Sequence, residues 1–183
     1  MKTSSRYHSV SIALHWFMLV LIATVYCLME FRDIYPRGSE PREMMKTWHY
    51  MLGLSVFALV LIRLALRTAF TAPPISPTPP AWQTGLSHAL HAALYLLMIG
   101  MPLGGWLLLS AEGSSIPFFG VALPPLVAPN EVLAETIEEI HETGSKVGYA
   151  LIAIHTLAGL AHHYVVRDNA LQRMSPFPSE KNL

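Results

Sequence analysis

Nine histidines stand in a chain of 183 residues, and several fall inside stretches that are otherwise apolar. His141 and His155 are fourteen positions apart in "EIHETGSKVGYALIAIHTLAGLAHHY" (139–164). On an α-helix that spacing makes nearly four turns, so the two rings lie about 40° apart on one face and about 21 Å apart in depth. His49 opens another apolar stretch, and His15 stands near the start of a first one. Depth then pairs His49 with His141 and His15 with His155. Two neutral imidazoles facing each other across a gap can clamp a b-type haem, given an apolar shell and room for the macrocycle. The chemistry expected of such a pattern is one-electron transfer at two stacked irons.

Other residues fit this pattern. Gly53 follows His49 by four places, Gly159 follows His155 by four, Gly144 lies beside His141, and Gly148 lies between the two levels. Small residues there help to make room for a ring, although glycines in membrane helices usually serve close packing. Arg63, fourteen places after His49, shares its face at the depth of His155, and Arg67 is one turn further. Haem propionates favour such cationic partners, although a topology signal or a snorkelling side chain explains either arginine as well. His88 and His91 lie three apart on neighbouring faces of a third stretch. Either could replace His15 as a ligand, but both look slightly too shallow for His155. They are expected near propionates or a quinone headgroup. His8, His162 and His163 read as solvated interfacial residues. A single histidine in a membrane helix often serves helix–helix hydrogen bonding. Four in two depth-matched pairs are better explained by ligation, and ionisable groups in spans are functional candidates by default.

These side chains need rigid elements to hold them. The chain is 52% apolar and only 13% charged, against about 25% charge in ordinary globular domains. That composition points to a membrane protein. The formal net charge is zero, so no basic balance indicates nucleic acid. Four apolar stretches are long enough for bilayer-crossing helices, which need about 20 residues each. They run over about 11–29, 48–66, 87–109 and 143–166, within one integral-membrane domain spanning 1–183. The first is too long for a signal-peptide core, and "YCLMEFRD" after it offers no cleavage site. Pro102 and two glycines interrupt the third, a tolerated feature of membrane helices. Residues 30–46 read as a charged loop, 68–86 as a proline-rich one and 110–140 as a long acidic one.

Orientation follows from Lys and Arg near the span ends. With the N-terminus inside, Lys2, Arg6, Arg63, Arg67, Arg167, Arg173 and Lys181 face the cytoplasm. Arg32, Arg37, Arg42, Lys46 and Lys146 face outward. This slight bias puts both termini in the cytoplasm. The single cysteine, Cys27, forms no internal disulfide, and no C-x-x-C-H haem-attachment motif is present. No Ser-His-Asp triad, phosphate loop or zinc motif competes with the histidine pattern.

At this point the chain resembles the bacterial cytochrome b561 family of dihaem membrane cytochromes. The resemblance rests on "SIALHWFMLVLIATVYCLMEFR", "WHYMLGLSVFALVLIRLALR", "TGLSHALHAALYLL" and "HETGSKVGYALIAIHTLAGLAHHYVVRDNALQRM". It covers nearly the whole chain and is similar in particular to the superoxide oxidase branch. It implies an all-α four-helix transmembrane bundle, two b haems ligated by His15, His49, His141 and His155, and a bacterial inner-membrane location. It also implies periplasmic superoxide as electron donor and ubiquinone as acceptor. The outward cations named above are candidates for a field that attracts the anion, although for any one of them solvated loop charge is the commoner reading, with Asp33, Glu40, Glu43 and Glu142 nearby in sequence. Two rivals remain. One is a cytochrome subunit relaying electrons between quinone and a partner dehydrogenase or hydrogenase. The other is a histidine-lined metal transporter without haem.

Overall fold

The computed structural model describes residues 5–177. Lys2 and Lys181, counted above among the inward charges, lie outside them. Within the described residues four helices are long and apolar enough to cross a membrane. They are α1 (Ser9–Glu30), α2 (Glu40–Ala69), α3 (Ala81–Ala111) and α4 (Glu131–Ala161). Short elements complete the chain: the hairpin β1 (Ile116–Phe118) and β2 (Val121–Leu123), and the final short helix α5 (Ala170–Arg173). Pro102 lies inside α3 without ending it.

Three of the four helices outrun the apolar windows. α2 begins at Glu40, α3 at Ala81 and α4 at Glu131, so parts of each expected loop are helical. Hydropathy marks the segment that meets lipid, whereas helix ends are set by caps and by polar residues that continue the helix into water. Ser39 precedes α2, with a proline in its first turn. The Asn130 side chain accepts the Leu133 N–H at 3.0 Å and starts α4. Asn130 is also held by its own N–H, which donates to the Ala111 carbonyl at 2.8 Å.

A hairpin occupies part of the expected acidic loop between α3 and α4. Its two turn residues, Phe119 at φ 46° and Gly120 at φ 88°, both occupy the left-handed region that a tight two-residue hairpin turn demands. Ile116, at its base, is buried with Leu54 and Leu109, so the hairpin closes one end of the bundle over α2 and α3. We call this the hairpin end. The opposite, tail end carries the start of α1, α5 and the proline-rich loop.

Packing is uneven around the bundle. Met18 and Leu21 of α1 interlock with Val56 and Val60 of α2, and Tyr95 and Met98 of α3 pack on them. Neither apolar cluster includes a residue of α4. α4 packs along α3, but no Cα of α4 comes within 8 Å of one in α1 or α2. Directly packed helices have axes about 8–10 Å apart, so α4 stands off from two of its neighbours along its length.

Candidate functional site

Imidazoles bridge the stand-off. At the hairpin end the rings of His49 (α2) and His141 (α4) have centroids 6.3 Å apart, inclined at 71°. At the tail end those of His15 (α1) and His155 (α4) are 6.2 Å apart, at 73°. The two pairs therefore share one geometry at two depths. All four rings are half-buried.

The supports of each ring differ. His49 Nδ1 lies 3.0 Å from the Val25 carbonyl oxygen. A carbonyl only accepts, so Nδ1 carries the hydrogen and Nε2 keeps its lone pair. His141 is pressed against α3, where a Cβ added at Gly105 or Gly104 would meet its ring at 3.5 Å or 3.7 Å. Its Nδ1 is buried there without a hydrogen-bond partner among the described residues. His155 has a second neighbour, His91 of α3, at 5.4 Å and 83°.

This donor set fits the haem expected from the sequence. A metal bound by two imidazoles, with bonds of about 2 Å and about 1 Å from each nitrogen to its ring centroid, needs about 6 Å between centroids. Two ligands alone leave an iron unsaturated, and a porphyrin supplies the four nitrogens between them. Gly53, one turn from His49, has nothing within 4 Å of an added Cβ, which gives the edge of a ring a place to lie. A cage for a bare metal fits less well, because no group of three or more His, Cys, Asp or Glu side chains converges suitably among the described residues.

The remaining candidates divide. The Arg63 Nε donates to the Tyr95 hydroxyl at 3.4 Å. The Arg67 guanidinium stands 5.9 Å from the centre of the same tyrosine ring. Both arginines thus gather on Tyr95 of α3. His88 is exposed on α3 and joins no ring pair among the described residues.

Several expectations need correction. Gly144 and Gly148 serve helix packing: an added Cβ would strike Met101 at the first and the Tyr26 hydroxyl at the second. His162 is not simply solvated. Its Nδ1 pairs with Asp168 Oδ2 at 2.5 Å, and Asp168 is buried. The chain folds back there through a π-helical turn at His162–Val166 and a left-handed Arg167 at φ 60°, which brings position 168 beneath position 162. His163 Nδ1 is buried and has no hydrogen-bond partner among the described residues. His8 caps α1 and stacks on Phe70 with centroids 4.1 Å apart. Of the outward cations, Arg42 pairs with Asp33 at 2.7 Å and Lys46 with Glu43 at 3.0 Å. Arg37 and Lys146 join no ion pair among the described residues. Sequence reasoning missed Gly104 and Gly105 as the seat of His141, having read them only as helix breakers. Their spacing opposite a histidine on a separate helix leaves no local signal.

Comparison with known proteins agrees with the geometry. Residues 6–177 match the family model described as prokaryotic cytochrome b561. The chain is 39% identical to "Cytochrome b561 homolog 1" of Escherichia coli (strain K12) over 172 residues, which is 94% of this chain and 98% of that protein. It is 35% identical to "Probable superoxide oxidase CybB" of Yersinia pestis, over 93% of this chain and 96% of that one. A more distant relative is "Cytochrome b561 homolog 2" of Escherichia coli (strain K12), 27% identical over 94% of this chain and 93% of that one. Four apolar helices, paired imidazoles between them and a match along almost the whole chain lead to one conclusion: this multi-pass membrane protein belongs to the prokaryotic cytochrome b561 family, electron-transfer proteins that bind b-type haem.

Proposed function

We propose that the chain is one integral-membrane unit of a bacterial inner membrane, with both termini cytoplasmic, that oxidises periplasmic superoxide and reduces ubiquinone. The observation that carries this reading is the pair of equal ring separations, 6.3 Å and 6.2 Å, stepped along one helix that stands off from its neighbours. The superoxide assignment is further supported by the name of the Yersinia pestis relative.

In this reading His49 and His141 hold one b haem and His15 and His155 a second. Each haem, when bound, supplies an iron that cycles between two oxidation states one electron apart. The rest is the work of the chain. The Val25 carbonyl fixes the tautomer of His49 and so the nitrogen it offers. The backbone of Gly104 and Gly105 sets the tilt of His141. Arg63 and Arg67 supply positive charge at the cytoplasmic level for propionates or for a quinone headgroup. The hairpin covers α2 and α3 on the side of His49. The overall reaction balances simply: two superoxide anions each lose one electron and leave as dioxygen, while one ubiquinone gains two electrons and two protons.

The test uses the purified holoprotein in detergent. Superoxide should reduce its haems within the mixing time of a rapid-flow experiment, and ubiquinone should reoxidise them. Superoxide dismutase should abolish the first step. Haems that stay oxidised with superoxide, yet are reduced by a co-purifying dehydrogenase or hydrogenase, would replace this reading with that of a relay subunit. The ligands are tested separately. Replacing His49 or His141 by Ala should remove one low-spin haem spectrum, and replacing His15 or His155 the other. Unchanged spectra in all four variants would refute the assignment.

A further inference from the structure

The tail-end pair has a third imidazole beside it, and the hairpin-end pair has none. We infer that His91 is a positioning residue for His155, accepting a hydrogen bond from the ring nitrogen that His155 does not offer to iron. The inference rests on the ligand assignment proposed above.

Distances separate the two roles that His91 could play. Its centroid is 5.4 Å from that of His155, against 6.2 Å for His15. The second value nearly repeats the His49–His141 separation of 6.3 Å, and the first is clearly shorter. A metal in line between two rings needs about 6 Å, with two bonds of about 2 Å and about 1 Å of ring on each side. A ring-to-ring hydrogen bond, with about 3 Å between nitrogens, needs only about 5 Å. His15 therefore has the spacing of a co-ligand and His91 that of a hydrogen-bond partner.

The tautomer agrees. His91 Nδ1 lies 2.6 Å from the Ser87 carbonyl oxygen, one turn back along α3. Nδ1 therefore carries the hydrogen, and Nε2 is an acceptor only. His155, ligating through one nitrogen, keeps an N–H on the other, and among the described residues its ring makes no hydrogen bond, so that N–H calls for an acceptor, with the His91 ring 5.4 Å away. An acceptor behind a metal-bound imidazole fixes the ring and makes it a stronger donor to the metal. At the hairpin end the Val25 carbonyl does this for His49. The tail end uses a side chain, which substitution can remove. A stronger ligand favours oxidised iron, so His91 holds the tail-end potential down.

The experiment is a spectroscopic redox titration of purified holoprotein carrying His91→Leu or His91→Gln. The tail-end haem is identified as the one absent from His155→Ala. In His91→Leu both low-spin haems should remain, with the tail-end midpoint shifted upward and the hairpin-end midpoint unmoved. Gln, which restores an acceptor, should bring the midpoint back toward that of the parent protein. An unchanged or lowered midpoint in His91→Leu, with both haems present, overturns the role of His91 and leaves the ligand assignment standing. Loss of one low-spin haem in His91→Leu, with both retained in His15→Leu, overturns both, because His91 would then be the ligand.

Discussion

Tyr26 occupies the place that a side chain at position 148 would take. Its hydroxyl donates to the Ser145 carbonyl at 3.0 Å, and its ring lies 4.4 Å from that of Tyr149. Tyr149 in turn donates to Glu30 at 2.8 Å. Since α4 packs no aliphatic side chain into the two apolar clusters, these polar contacts do much of the joining of α1 to α4. Gly148→Leu should overpack the seam at a cost of about 1–3 kcal/mol, read as a lower midpoint of thermal unfolding in detergent. Tyr26→Phe should cost about 1 kcal/mol through the lost hydrogen bond. The two changes should be non-additive in a double-mutant cycle, because they act on one contact. Strict additivity would mean that Tyr26 and Gly148 are not coupled. At this scale the sequence showed which residue types were present but not how the glycines were shared out. Gly53 and Gly148 look alike in the text, and only the opposing helix decides that one faces open space and the other a hydroxyl.

At the scale of elements, the hairpin shows how strain is placed. Phe119 holds a φ of 46° that a bulky residue rarely adopts. Its N–H donates to Met51 Sδ at 3.3 Å, and its ring meets Trp48 at 6.3 Å, so α2 and the tight turn together enforce it. Gly120→Val, at φ 88°, should cost about 1–3 kcal/mol by forcing a branched residue into that region. Proteolysis of the 112–130 connection should quicken, while the haem that we propose for His15 and His155 keeps its spectrum. Unaltered proteolysis would show that the turn tolerates the branched residue. The long helices were legible because the apolar runs exceed what a bilayer needs. Their polar extensions were partly legible too: Asn130 followed by Glu131 is a start signal for α4, although hydropathy alone marks no helix there. The hairpin was less legible, since its strands are only three residues each.

Across the whole molecule, the tail end is tied by contacts far apart in sequence. Trp16 donates to the Met174 carbonyl at 2.9 Å, and Arg173 to the Pro73 carbonyl at 2.6 Å. Asn169 accepts the Ser76 N–H at 2.9 Å, and the Tyr7 N–H donates to the Arg173 carbonyl at 3.1 Å. Asp168 anchors this strap by pairing with His162 and capping Ala170 at 2.8 Å. Asp168→Ala should cost about 2–3 kcal/mol, the range for a charged hydrogen bond with a cap, and should speed tryptic cleavage after Arg167. An unchanged cleavage rate would mean that the strap holds without Asp168. The sequence by itself determined the class of the protein. Apolar length settles that helices cross the membrane, and the 3.6-residue period settles that His141 and His155 share one face of α4 at two depths. Local rules of that kind need only one helix at a time. Only the tertiary structure decided which imidazole meets which, that His91 rather than His88 joins the tail-end cluster, and that α4 stands off from α1 and α2. Those outcomes depend on how separate helices pack, and packing is set by the shapes of surfaces that no single segment contains.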